Sequence, residues 1–79
     1  MHESYTLLAA ALRERIAVIA DRSLYESDPA SHLEKLKSAS EAIVTHGNEL
    51  PKPVDGDFAH YLQRASYAKA LDWLAARGL

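Results

Sequence analysis

The chain has 79 residues, no cysteine and a formal net charge of −2. These values exclude a disulfide framework and a thiolate metal site, and they leave no basic excess for neutralising phosphates. The length fits one domain over residues 1–79, near the lower limit for a self-sufficient core, with an expected stability of roughly 4–12 kcal/mol.

The longest apolar run, Leu7 to Leu12, is far too short to span a bilayer. The opening residues Met1-His2-Glu3-Ser4 lack the basic and apolar regions of a signal peptide. The expectation is therefore a cytoplasmic protein without a membrane partner. Asp28-Pro29, then Pro51, Pro53 and Gly56, then Gly78 divide the chain. No segment between them alternates like a strand, so the predicted class is all-α.

The first predicted helix covers residues 4–26. Tyr5, Leu8, Leu12, Ile16 and Ile19 recur at helical spacing and form its expected core stripe. A second stripe holds Leu7, Ala11, Val18 and Tyr25, the last three separated by whole heptads. A helix in a small bundle needs only one broad buried face. The second stripe therefore marks these four residues as candidates for an interface with another copy or another helical protein. It fits equally a first helix that touches both others.

The second predicted helix covers residues 29–46. Asp28 suits the N-cap, Pro29 the first turn, and Gly47 the left-handed position that ends many helices. Leu33, Leu36, Ser40, Ile43 and Val44 compose its apolar face. A connector at 48–56 follows, with Pro51 and Pro53 favouring an extended course and Leu50 and Val54 expected to turn inward.

The third predicted helix covers residues 57–77, capped by Asp55 or Asp57 and closed by Gly78. Its pattern is contradictory. Phe58, Leu62 and Ala65 share one side, whereas Tyr67, Leu71 and Leu74 share nearly the opposite one. Three such helices predict an antiparallel three-helix bundle.

On the third helix, His60, Arg64 and Tyr67 fall at i, i+4 and i+7. They are candidates for holding a small anionic ligand, or simply form an amphipathic flank. The four histidines, His2, His32, His46 and His60, are never three or four residues apart, so no helical metal pair is expected. Asp55-Gly56-Asp57 lacks the further ligands of a calcium loop. No nucleophile elbow or phosphate-cradling glycine loop is present. The expectation is a protein that is not an enzyme and has no cofactor.

A DNA-binding regulator is a further alternative. The second helix exposes Glu34, Lys35, Lys37 and Glu41, a mixed-charge face poorly suited to a phosphate backbone. The leading reading is a helical protein-interaction module, homodimeric through the first helix.

Overall fold

The structure is a computed structural model that describes residues 3–79. Among the described residues five helices follow one another: α1 (Glu3–Ala20), α2 (Arg22–Ser27), α3 (Pro29–Asn48), α4 (Gly56–Gln63) and α5 (Tyr67–Ala76). No strand occurs among the described residues. The first and third expected helices are each broken in two, and both breaks have a local cause.

The first break is at Asp21. Its side chain accepts a hydrogen bond from the Leu24 N–H at 3.1 Å and caps α2. Aspartate competes for backbone groups in this way and so favours caps over helix interiors. The Val18 carbonyl would pair with the N–H of residue 22 in a continuous helix. It accepts instead from the Asp21 N–H at 3.1 Å and from His32 Nε2 at 2.8 Å. A carbonyl only accepts, so Nε2 carries the proton. Asp28 then serves both neighbours. Its N–H closes α2 on the Leu24 carbonyl at 2.8 Å, and its carboxylate caps α3 through the Ser31 N–H and hydroxyl.

The second break is at Ala65, a non-glycine residue at φ +58. The Ser66 N–H reaches the Tyr61 carbonyl at 2.8 Å and the Ala65 N–H reaches that of Leu62 at 3.2 Å. This pair of bonds is the Schellman motif, here with alanine in the place that favours glycine. Two helices replace one, and the contradictory pattern resolves: each has its own apolar side. Gly78, at φ +73, closes α5 through the same bond pair, from Leu79 to Leu74 and from Gly78 to Ala75. Gly47 does not take the C′ role. It lies inside the last turn of α3, where a Cβ would stand 3.8 Å from Leu62.

Helices α1 and α3 pack antiparallel. Val18 meets His32 and Arg15 meets Ser40, so rising numbers in one face falling numbers in the other. Helices α4 and α5 cover one end of this pair. Leu8, Leu12, Phe58 and Leu74 are fully buried there. Phe58 stacks on Trp73 with ring centroids 4.5 Å apart, and Tyr5 approaches both rings. Leu50 of the 49–55 connector is buried and Val54 packs against the same core.

The molecule is elongated, 42 × 22 × 21 Å. At 1.5 Å per residue, α3 is about 30 Å long and α5 about 15 Å. The second layer therefore reaches only part of the way along the first.

Candidate functional site

The coverage of α1 changes at Arg15. Its Nε donates to Ser40 Oγ at 3.1 Å, and its guanidinium lies 4.9 Å from the Tyr67 ring centroid at the start of α5. Below this point Tyr5 and Leu12 face α4 and α5. Beyond it, the same stripe continues through Ile16 and Ile19, which are more exposed. Ile16 is 36% exposed and Ile19 49%. On α3 the stripe that buries Ile43 continues past Ser40 to Leu36, half-buried, and Leu33, 66% exposed. The antiparallel register sets Ile19 level with Leu33 and Ile16 level with Leu36. By this register the four fall along one stretch of the α1–α3 layer, with Ile19 and Leu33 the more exposed and Leu36 half-buried. Leu33 is the most exposed of the four.

The expected interface stripe is divided. Ala11 and Val18 are buried, at 8% and 5%, against α3, while Leu7 and Tyr25 are exposed. Tyr25 packs edge-on against the His32 ring at 5.3 Å. The four do not share one open surface, because α3 lies over the middle of the stripe. Conversely, Ile16 and Ile19, expected in the core, are the ones left open.

The expected anion strip is divided as well. The turn at 64–66 places His60 on α4, Arg64 at its C-cap and Tyr67 on α5. His60 and Arg64 point to solvent, and Tyr67 is engaged by Arg15. The Arg15–Ser40 contact is the feature of this region least visible in the sequence. The one signal was a serine within an otherwise apolar face of α3.

A groove of about 280 Å³ lies between the end of α3, the connector and α4. Ile43, Leu50, Val54 and Leu62 line it, with Lys52 and Tyr67; His60 and Arg64 do not. His46 Nδ1 lies 3.1 Å from Glu49 nearby. Among the described residues no group of three or more side chains could hold a metal ion, and no helix is long and apolar enough to cross a membrane. His2 lies outside the described residues. Asp55 Oδ1 accepts from the N–H groups of Asp57 and Phe58, so the Asp-Gly-Asp run is the turn and cap of α4.

No family model matches the chain, and no curated protein or solved structure matches it.

Proposed function

We propose that the chain is a helical interaction module of the cytoplasm that docks an apolar helical surface on the open half of its α1–α3 layer. The observation that carries this reading is the continuation of two core stripes, through Ile16 and Ile19 and through Leu36 and Leu33, past the point where α5 stops. Aligned apolar side chains left in water are stabilised by any partner that removes them from it, at about 25 cal/mol per Å² before the costs of association. The mechanism is surface burial. The reading assigns no reaction and no cofactor.

The test is the binding of an anilinonaphthalene dye at micromolar protein, with Ile19→Lys and Leu33→Lys as variants. Both positions are exposed in the isolated chain, so thermal melts should move little, within about 0.5 kcal/mol of the parent. Dye binding should fall in both. Unchanged dye binding, or loss of the fold in both variants, overturns the reading.

A further inference from the structure

We infer that the occupant of the open face is a second copy of this chain, related by a twofold axis perpendicular to α1. The inference rests on the reading of that face as a docking surface, and adds who docks and in which direction.

The direction follows from charge. The open face has two unlike ends. Next to α5 it is bordered by Arg13 and Lys37, both exposed and each within a turn of the Arg15–Ser40 contact, with Glu41 beside Lys37, so cations outnumber the anion two to one. Glu14 is close in sequence but lines the opposite groove with Ala11 and Ala39. At the other end lie Asp21, Glu26 and Asp28, all exposed, which outweigh the single cation Arg22. A twofold axis parallel to the helices would lay the basic end of one copy on the basic end of the other. An axis perpendicular to them lays basic on acidic at both ends at once. Like charges brought together oppose association and opposite charges favour it, so the perpendicular axis is selected.

The apolar centre agrees with the same operator. Turned end over end, Ile16 and Ile19 of one copy lie over Ile19 and Ile16 of the other, and Leu33 and Leu36 do likewise. A twofold contact uses one patch on both partners, which must therefore complement itself. This patch does so in both shape class and charge. The pairing would complete the layer that α5 leaves short, turning two open helix pairs into a closed four-helix arrangement.

The experiment is the solution mass by light scattering, from micromolar to millimolar chain concentration, on the parent and four variants. The parent mass should rise toward two chains. Ile19→Glu and Leu33→Glu, each folded by circular dichroism, should weaken pairing by roughly tenfold or more, as loss of a central apolar contact does. Lys37→Glu and Glu26→Lys should each pair more weakly than the parent. Their equimolar mixture should pair more tightly than either alone, because each restores the charge that the other lost. A parent that stays at one chain throughout overturns the second copy as occupant. If dye binding at the open face is still lost in Ile19→Lys and Leu33→Lys, the docking surface itself stands. A dimer unaffected by Ile19→Glu and Leu33→Glu overturns the location. A mixture no tighter than its components overturns the perpendicular axis.

Discussion

Arg15 and Ser40 join α1 to α3 through one hydrogen bond of 3.1 Å, at the line where the cover of α5 ends. The Tyr67 ring also meets this guanidinium, 4.9 Å from ring centroid to Cζ. One side chain thus ties three helices together and separates the closed end of the molecule from the open one. Its long stem suits this place, since the methylenes can lie along apolar surface while the head reaches polar partners.

Removing this tie should be costly for a partly exposed residue. Arg15→Ala loses a charge-assisted hydrogen bond and a cation–π contact, together about 1–2 kcal/mol. Ser40→Ala removes only the hydrogen bond and should cost about 1 kcal/mol or less. Urea unfolding of both single variants and the double variant measures the coupling. Additive losses in the double variant would show that the two side chains do not act together.

Ala65 gives a prediction in the stabilising direction. An L-residue in the left-handed region costs roughly 1–2 kcal/mol that glycine does not incur. Ala65→Gly should therefore raise stability by about 1 kcal/mol, after the extra chain entropy of glycine is deducted. Gly78→Ala, at the matching position of the second Schellman motif, should lower it. Thermal melts of the two variants should move in opposite directions.

Phe58 is the largest fully buried side chain among the described residues. It is fully buried and stacked on Trp73. Phe58→Ala should cost about 3–5 kcal/mol through lost transfer energy and the cavity left behind. For a chain of this size that is a large part of the whole. Chemical denaturation should show a much lower midpoint, or no folded baseline at all.

Asp28 sets the behaviour in acid. The Ser31 hydroxyl, at 2.7 Å, and then the Ser31 N–H hold its carboxyl below the ordinary value of 3.8. A group whose pKa is lowered by folding stabilises the fold above its unfolded value and loses that contribution as pH falls through the folded one. Asp28→Asn should therefore differ from the parent at about pH 7, and the difference should shrink below about pH 4. Urea midpoints across this range check it. A difference that grows on acidification would show the opposite sign of coupling.

Much of this molecule follows from local chemistry. The helical class, the turn at Asp28-Pro29, the cap at Asp55 and the closure at Gly78 all come from residues acting on their immediate neighbours. Their signals are correspondingly local and visible in the chain. The break at Ala65 was written only indirectly, as two apolar sides that one helix could not bury together. Alanine carries no turn signal of its own, and its left-handed backbone is held by the packing of α4 against α5. Periodicity likewise states which side chains share a face of α1, but not what lies opposite that face. Ala11 and Val18 are covered because α3 runs along them, and Ile16 and Ile19 are partly exposed because they lie past the Arg15–Tyr67 contact at the start of α5. Periodicity along the chain sets the stripes. Which stripe is core and which is surface follows from packing, since burial depends on the length and position of the neighbouring helix as much as on the residue buried.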